Sequence, residues 1–499
     1  MDSVGIWLLI VAATTLAAAG LAAPVAVRAR LAMLAAALLL APVLIAAENW
    51  DTDRFADLRD SPAQLLAGLV LAAAALAVLV WLVRSRPRWL PIALIAVLPF
   101  RIPLDLGGDT SNLLILLYGL LAAGLIAALL EPERILPALG DGDETGPGDP
   151  RRWLAPILAV TLVLYGLQTG YTGDLGDAVE NVGFFFVPFA VLFVLLAGAR
   201  WDRELVRALV IVVAVAALLV ALVAFGQYVT GKVFLNDKLI DGNEAHAYFR
   251  VNSVFYDPNI MGRFLDVALV MLAGVVGWGR NRDAQLAAAV SVVVLVALIL
   301  TFSQSSVLAL IAGMLVLVAA RWGLLRGIAA GALTVIAMGI AIYAIDDGGL
   351  TAETTGRTGL ISGGMHLFED KPLQGYGAGS FADEFGDRYD VIDEGYATES
   401  HTEPITVLAE QGLIGIVPYL ALLIAGTAGL WIASGFGLRP ARDPVAATLF
   451  AAFAAMVVHS LGYAAFLTDP LTWALLALAL VLPEAIGARA ADPPGTATA

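Results

Sequence analysis

The sequence predicts an all-α polytopic membrane protein, and three observations carry that prediction. Hydrophobic residues make up 60% of the 499 residues, charged residues only 14%, and the mean hydropathy is +0.86; soluble domains do not have this balance. Apolar blocks of roughly 20 residues, the length of a spanning helix, recur along the chain. Arginines concentrate in every second break between these blocks, a pattern typical of the cytoplasmic side of a membrane protein.

About fifteen apolar blocks follow one another, so we expect 12–15 transmembrane helices. Lipid offers the backbone no hydrogen-bond partner, which leaves helices as the expected form of these runs. The block 90–104 is the weakest because Pro99, Arg101 and Pro103 interrupt it, and two blocks meet closely around 301–306. The blocks lie near 5–23, 31–47, 63–83, 90–104, 113–130, 154–169, 183–199, 208–228, 260–278, 286–302, 306–320, 327–345, 404–432, 444–466 and 469–487.

The arginine-rich breaks all fall on one side if every block spans, and that side should be cytoplasmic, with the N-terminus outside. No basic residue precedes the first block, which is long enough to span, so we expect no cleavable signal peptide. The breaks contain Arg28 and Arg30; Arg84, Arg86 and Arg88; Arg134, Arg151 and Arg152; Arg200, Arg203 and Arg207; Arg280 and Arg282; Arg321 and Arg326; Arg439 and Arg442; and Arg489.

Charge and residue counts exclude several classes of function. The 43 acidic residues outnumber the 28 basic ones, giving a net charge of −15, which argues against a nucleic-acid partner. The chain has no cysteine, so it has no disulfide, no thiolate metal site and no cysteine nucleophile. No two of its four histidines share a helix face at metal-ligand spacing, and we expect neither a metal nor a cofactor.

The first long outer segment, 229–259, ends in an arginine followed by a helix-start signal. Asp257 is a suitable N-cap and Pro258 suits the first helical position, ahead of Asn259. Arg250 lies seven residues before the cap, at the membrane boundary, where it is either a snorkelling arginine or an anion ligand. Arg263 lies just inside the next span; it could pair with Asp266 on the same helix, or face a cavity shared with Arg250.

The second outer segment, 346–403, begins with apolar residues at spacings of three and four from Arg357 to Phe368. This spacing predicts an amphipathic helix on the outer membrane surface, which Pro372 ends. The glycines that follow, with Tyr376 and Gly377 among them, predict a tight turn. A backbone-amide cradle for phosphate is the alternative interpretation.

His401 opens the following span, where an imidazole can act as a general base or hydrogen-bond donor near neutral pH. The alternative is a purely structural histidine. Acidic residues crowd the stretch 383–403 just before and around it. A solvated acidic face is the default interpretation of that stretch, and its spacing fits no EF-hand calcium loop.

Taken in order, these motifs resemble the O-antigen ligase/polymerase-like superfamily of bacterial membrane glycosyltransferases. The resemblance covers roughly 205–432. The chain departs from the family pattern at Thr402, where members commonly have asparagine, and at Gln304, where they often have arginine. The matching residues are Arg250, Ser253-Val254-Phe255-Tyr256-Asp257-Pro258-Asn259, Arg357, Pro372-Leu373-Gln374-Gly375-Tyr376-Gly377-Ala378-Gly379, Ser400-His401 and Glu410-Gln411-Gly412-Leu413-Ile414-Gly415.

The resemblance implies a GT-C-like enzyme that transfers a glycan from a polyprenyl diphosphate, such as undecaprenyl diphosphate, to an acceptor hydroxyl. It implies inversion at the sugar carbon without a metal, on the extracytoplasmic face of the bacterial inner membrane, in cell envelope biogenesis. The acceptor would be a glycan, a lipid or a protein. The implied catalytic residues are His401, Arg357 and Arg250, and the implied substrate-binding residues are Arg263, Asn259, Tyr376, Gly377 and Glu403.

Two other functions remain open on the sequence. Many spans with intramembrane arginines also suit a transporter of an anionic or lipid-linked substrate, although no inverted repeat is evident. A scaffold protein would not need Arg250, Arg357 and His401. The expected organisation is N-terminal transmembrane helices at 1–204, the ligase-like module at 205–432 with outer loops 229–259 and 346–403, C-terminal transmembrane helices at 433–490, a disordered tail at 491–499 and a flexible acidic linker at 140–150.

Overall fold

The structure, a computed structural model, confirms the all-α polytopic fold class. Several predicted features lie outside the described residues: the linker 140–147, Arg101, the acidic residues 390–399 and the tail 491–499. The side chains of 102–113, 338–358 and 484–487 are not described either. The described residues are 2–50, 61–100, 102–106, 109–139, 148–173, 175–233, 239–240, 243, 248–345, 350–389 and 400–487.

Helices dominate the described chain, with a π-helical segment, Asn181–Phe186, between α8 and α9. The α-helices are α1 (Ser3–Ala22), α2 (Val27–Asn49), α3 (Pro62–Ser85), α4 (Leu90–Val97), α5 (Ile115–Leu130), α6 (Pro132–Ile135), α7 (Leu154–Gln168), α8 (Gly176–Glu180), α9 (Val187–Ala197), α10 (Arg203–Thr230), α11 (Pro258–Trp278), α12 (Asn281–Ile299), α13 (Gln304–Trp322), α14 (Leu324–Ile345), α15 (Leu350–Asp370), α16 (Phe381–Tyr389), α17 (Glu403–Ser434), α18 (Pro444–Ser460) and α19 (Pro470–Gly487).

Each of the fifteen predicted blocks contains a helix, but the helices differ in length. Within the described residues, ten are long and apolar enough to cross a membrane. Five shorter apolar segments complete the series, at Pro87–Val97, Ile115–Leu130, Leu324–Ala337, Pro444–Ser460 and Pro470–Pro483.

The prediction of one span over 90–104 is wrong. Helix α4 ends at Val97, and the chain then forms an antiparallel hairpin of β1 (Ile102–Leu106) and β2 (Asp109–Leu113). Pro99 and Pro103 explain the break, because proline has no N–H to donate within a helix and clashes with the preceding turn. Helix α5 then runs back from the hairpin, so α4 and α5 together enter and leave the bundle at the same end.

Contacts between the arginine-rich breaks place them at one end of the bundle, which we call the arginine end: 84–89, 131–139, 198–207, 277–283, 320–326 and 435–443. Arg84 pairs with Glu131, and Arg88 pairs with Asp202 at 2.9 Å. The Leu324 N–H donates to the Gly437 carbonyl at 2.8 Å. The predicted grouping of these arginines on one side therefore agrees with the packing.

The centre of the bundle is α9, all of whose residues are buried. Around the opposite end, α11, α13, α17 and α18 pack against one another. Small residues let these helices approach closely: a Cβ built on Gly262 would lie 2.1 Å from the Ser306 hydroxyl oxygen. Close backbone approach at small residues is typical of helix packing in membranes. Two of these four helices carry candidate site residues: Asn259 and Arg263 lie on α11, and Glu403 lies on α17.

Candidate functional site

Helix α17 is broken at Gly412, which has a left-handed φ of 61° and a ψ of −157°. The break frees the carbonyls of the preceding turn, and the glycine-rich turn 372–379 bonds to them. The Tyr376 N–H donates to the Ala409 carbonyl at 3.0 Å, and the Gly377 N–H donates to the Glu410 carbonyl at 2.8 Å. The turn 372–379 thus supplies the N–H donors that the helix lacks at the break.

The donors beyond the break are satisfied by the same turn. The Leu413 N–H donates to the Pro372 carbonyl at 2.9 Å, and the Ile414 N–H donates to the Leu373 carbonyl at 3.1 Å. An unpaired backbone group inside a membrane costs several kcal/mol, so this exchange makes the break tolerable. The two glycine motifs that are separate in the sequence form one structural unit, which we call the helix-break dock (372–379 with 409–414).

The glycines of the dock are there because two backbones touch. A Cβ on Gly412 would lie 2.5 Å from the Leu373 carbonyl oxygen, and one on Gly375 would lie 2.3 Å from the Glu410 carbonyl oxygen. The predicted tight turn is therefore present. The N–H of Gly379 donates to the Glu410 carboxylate at 3.0 Å, so the amides of Tyr376, Gly377 and Gly379 are all engaged, and the phosphate-cradle alternative finds no support.

The side chain of Tyr376 faces the outer corner between α15 and α16. The Lys371 Nζ lies 3.7 Å from the centre of its ring, a cation–π contact. Asp370 accepts from Arg388 across the same corner, and this hydrogen bond holds the pKa of Asp370 below its ordinary value. The corner joins α15 to α16 outside the spanning helices.

A hydroxyl network shapes the turn that carries His401. The Ser400 Oγ donates to the Thr402 carbonyl at 2.8 Å and lies 2.9 Å from the Thr406 Oγ1. His401 lies between the buried residues Ser400 and Thr402; it is half-buried and has a φ of 60°. Non-glycine residues adopt this conformation mainly where the surroundings impose it. Helix α15 packs here, because a Cβ on Gly364 would lie 3.6 Å from the Ser400 Cβ.

Glu403, the first residue of α17, fixes the loop between α18 and α19. Its Oε2 accepts from the Ala465 N–H at 2.8 Å and from the Phe466 N–H at 2.9 Å. Charge-assisted bonds to backbone N–H groups are stronger than neutral ones. The carboxylate therefore ties the His401 turn, two residues away, to the 463–469 loop.

Arg263 reaches the same loop from α11 and is 1% exposed. Its guanidinium donates to the carbonyls of Ala465 at 2.6 Å and Tyr463 at 3.0 Å, and it pairs with Asp469 at 3.1 Å. Asp469, and not Asp266, is thus its ionic partner. Within the described residues neither carboxyl oxygen of Asp266 has a hydrogen-bond partner. Arg263 turns away from Asp266 because the loop offers several acceptors together.

A directed chain of hydrogen bonds leads from Arg263 to Asn259. The Arg263 Nε donates to the His459 Nδ1 at 3.1 Å, and because guanidinium only donates, Nδ1 accepts and Nε2 carries the ring proton. The His459 Nε2 lies 3.0 Å from the Ser306 Oγ, which donates to the Ser303 Oγ at 2.8 Å. Ser303 donates to the Asn259 Oδ1 at 2.7 Å.

Arg250 is anchored at one nitrogen and open at the others. Its Nε donates to the Thr301 carbonyl at 3.0 Å. Its own backbone is clamped by Asn243, which accepts from the Arg250 N–H at 2.8 Å and donates to the Arg250 carbonyl at 3.0 Å. The terminal guanidinium nitrogens have no hydrogen-bond partner among the residues that the structure describes. Four N–H donors are therefore aimed by a rigid frame.

The sequence after Arg250 folds against α10 for a local reason. The Gln227 side chain bonds both faces of the loop: its Oε1 accepts from the Ser253 N–H at 2.7 Å and its Nε2 donates to the Asn252 Oδ1 at 3.0 Å. Asp257 then caps α11 by accepting from the Asn259 N–H at 2.6 Å, as the sequence predicts. Gln227 thereby fixes the direction in which the chain leaves Arg250.

Four of the predicted site residues, Arg250, Asn259, Arg263 and Glu403, lie along one continuous set of polar contacts. Tyr376 and Gly377 belong to the helix-break dock. Arg357 lies in α15, seven residues before Gly364, or roughly 10 Å along the helix axis. Its side chain is outside the described residues, so its place relative to the other two catalytic candidates remains a prediction.

Sequence reasoning missed His459, Ser306 and Asp469. All three are buried and complete the network that supports the predicted residues. A signal was present, because a histidine inside an apolar span is expensive unless it is paired. The identity of its partners lay in segments far apart in sequence. In the described residues no group of three or more histidine, aspartate and glutamate side chains is placed to hold a metal ion.

Residues 267–420 match a family model described as O-antigen ligase. The matched segment begins within α11 and ends within α17, so it contains α15, the helix-break dock and His401, while Arg250 and Asn259 precede it. No curated protein matches the chain. The match supports a membrane glycosyltransferase of the ligase or polymerase type, and the similarity of residues 267–420 to this family agrees with the resemblance that the sequence motifs indicate.

Proposed function

We propose that the protein transfers a glycan from a polyprenyl diphosphate carrier to an acceptor hydroxyl on the extracytoplasmic side of the membrane, without a metal and with inversion. The observation that carries the proposal is the anchored Arg250 guanidinium, whose terminal nitrogens have no partner among the described residues, joined by buried polar contacts to the turn that carries His401. The O-antigen ligase match around that turn supports the same reaction class.

The arginines would act on the leaving group. As the glycosidic bond to the diphosphate breaks, negative charge builds on the phosphate oxygens, and guanidinium groups stabilise it through paired hydrogen bonds. Arg250 has its donors held in place before the substrate arrives, so little reorganisation is needed. We propose Arg357 as the second ligand of the diphosphate, with Asn259 lining the approach to Arg250.

His401 would act on the acceptor. The hydroxyl must lose its proton as it attacks the sugar carbon, and an imidazole suits that role near neutral pH. The strained backbone of His401 and its fixation by Ser400 and Thr406 support a positioned side chain. Glu403 fixes the His401 turn relative to the 463–469 loop, which Arg263 also binds.

The experiment uses the purified full chain in nanodiscs with a polyprenyl-diphosphate-linked glycan and a panel of glycan, lipid and peptide acceptors. Arg250→Ala should lower the transfer rate by about 100-fold, in line with the loss of one preorganised donor group, and Arg250→Lys should recover only part of it. His401→Ala should abolish turnover while donor binding stays within about twofold. Transfer should continue in chelator.

Arg203→Ala is the matched control, because Arg203 is exposed at the arginine end and its loss should leave transfer unchanged. Unchanged transfer in Arg250→Ala would remove the diphosphate role. In a parallel assay with the protein in proteoliposomes, donor accumulation on the other side of the vesicle without any glycosidic bond formation would establish the transporter alternative instead.

A further inference from the structure

An open pocket of ≈ 430 Å³ lies at the arginine end, between the last turns of α3 and the short helix α6. We call it the α3 pocket. Its lining divides into an apolar half and a basic half. Because α3 runs toward the arginine end, the apolar residues lie deeper in the membrane than the basic ones. The lining residues are Ala77, Val80, Trp81, Arg84, Ser85 and Arg134.

A single carboxylate holds the two arginines of the α3 pocket side by side. The Glu131 Oε1 accepts from the Arg84 Nε at 3.0 Å, and the Glu131 Oε2 accepts from the Arg134 Nη1 at 2.8 Å. The hydrogen bonds from Arg84 and then from Arg134 hold the pKa of Glu131 below its ordinary value, so the carboxylate is ionised. Two guanidinium groups against one carboxylate leave a net positive charge.

Both guanidinium groups keep donors that Glu131 does not use. The Nη1 of Arg84 and the Nε and Nη2 of Arg134 have no hydrogen-bond partner among the residues that the structure describes. The Arg84 and Arg134 side chains are 45% and 55% exposed. Guanidinium groups match phosphate oxygens with paired hydrogen bonds, and here Glu131 sets their spacing before a ligand arrives. The basic half of the pocket therefore suits a phosphate group.

The apolar half of the pocket faces the membrane. Val83 is the one buried residue among the 24 residues of α3, so this helix lies at the edge of the bundle with its sides open to lipid. Trp81 is 65% exposed three residues before Arg84, and tryptophan is enriched at the boundary between membrane and water. A small water-soluble anion would leave this apolar wall uncovered, whereas the acyl chain of a lipid would cover it.

We propose that the α3 pocket binds an anionic phospholipid, with its phosphate on Arg84 and Arg134 and an acyl chain along Ala77, Val80 and Trp81. Basic pockets beside transmembrane helices are typical sites for anionic headgroups. A zwitterionic lipid fits less well, because its ammonium group would lie near a cluster that already carries net positive charge. The bound phosphate would join α3 to α6. This inference does not depend on the proposed transfer reaction.

A local test is possible because the chain contains no cysteine. Leu82→Cys, at a position 48% exposed and next to Trp81 in α3, would carry a bimane fluorophore on the full chain in nanodiscs. Quenching would be compared between phosphatidylglycerol and phosphatidylcholine, each with brominated acyl chains. We expect phosphatidylglycerol to compete for this position about fivefold better, the gain for one net basic charge near anionic lipid. Equal quenching by the two lipids would overturn the proposal.

Ile328→Cys is the matched control for the labelled position. Ile328 is 59% exposed on α14 at the arginine end, two residues after Arg326. A fluorophore there senses the general attraction between the basic breaks and anionic lipid, without the α3 pocket. The preference for phosphatidylglycerol should be clearly smaller than at Leu82→Cys. An equal preference at both positions would show a non-specific surface effect and would rule out a built site at α3.

Substitution of the two arginines identifies the phosphate ligands. Arg84→Ala combined with Arg134→Ala should abolish the lipid preference at Leu82→Cys, while Arg326→Ala should leave it unchanged. Exposed ion pairs contribute little to stability, so the melting temperature of the double variant should stay close to that of the wild type. Excess inorganic phosphate, at constant ionic strength, should not reduce the preference. A preference that survives the double variant, or that inorganic phosphate abolishes, would contradict a lipid phosphate held by these arginines.

Discussion

At the scale of single residues, arginines with similar sequence surroundings have different environments. The terminal nitrogens of Arg250 have no hydrogen-bond partner among the described residues. The Arg263 guanidinium, by contrast, donates to His459, Tyr463, Ala465 and Asp469. A diphosphate ligand needs free donors, so the contacts of Arg263 suit a positioning residue that holds the 463–469 loop. The sequence could place both arginines at the membrane boundary but could not distinguish their roles, because the partners of Arg263 lie about 200 positions away.

Arg263 and Asp469 should therefore behave as a coupled buried pair. Arg263→Gln or Asp469→Asn alone should destabilise the protein by roughly 3–5 kcal/mol, because each leaves an unpaired charge in a buried place. The double variant should lose less than the sum of the two single losses. Melting temperatures in detergent, read together with donor binding, check this. A single Arg263 variant that melts like the wild type but loses donor binding would contradict the positioning role.

At the scale of elements, the sequence predicted the apolar helices but not the short helices such as α16, nor how the long helices are interrupted. The end of α15 before Pro372 and the cap of α11 at Asp257 follow from local chemistry and are predictable. The break in α17 is different. Gly412 lies in an apolar run that reads as continuous helix, and only the arrival of the turn 372–379 allows the chain to leave helical geometry there. A pattern within one segment cannot encode a backbone partner from another segment.

Gly412→Ala tests the helix-break dock. Alanine would have to adopt φ of 61° with its Cβ 2.5 Å from a carbonyl oxygen, so we expect a loss of more than about 2 kcal/mol and a low yield of folded protein. Gly226→Ala is the matched control: Gly226 lies within α10 with nothing within 4 Å of its added Cβ, and alanine there should be neutral or stabilising by up to about 1 kcal/mol.

The comparison is read from melting temperature and from size-exclusion yield in the same detergent. If Gly412→Ala folds with wild-type stability, then the break is an incidental kink and the dock does not hold the site together. In that case the glycine motif would need another explanation.

At the scale of the whole molecule, the two ends of the bundle differ in chemistry. The arginine end gathers the basic breaks through pairs such as Arg88 with Asp202, and the opposite end gathers Arg250, His401 and Glu403. Arginine spacing was enough to predict this division. Arginine spacing could not predict that the block 90–104 is interrupted, nor which side chains pair across helices. A block broken by proline and contacts between distant segments leave little trace in local composition.

Orientation can be tested cleanly because the chain contains no cysteine. Lys232→Cys lies just beyond α10 at the Arg250 end, and Leu438→Cys lies at the arginine end, where Leu438 is 76% exposed. We expect a membrane-impermeant maleimide to label Lys232→Cys in intact cells and Leu438→Cys only after permeabilisation. Labelling in the reverse order would put the proposed site in the cytoplasm and rule out a transfer reaction on the outer face.

The helix-break dock also constrains how the protein is made. The ribosome completes the turn 372–379 before α17, and on the proposed topology the turn crosses the bilayer before its partner helix exists. Until the two meet, backbone groups on both sides of Gly412 have no partners inside the membrane, each at a cost of several kcal/mol. We therefore expect the later part of α17, and with it α18 and α19, to settle only after the turn 372–379 has closed over the break, so that docking of this turn precedes completion of the fold.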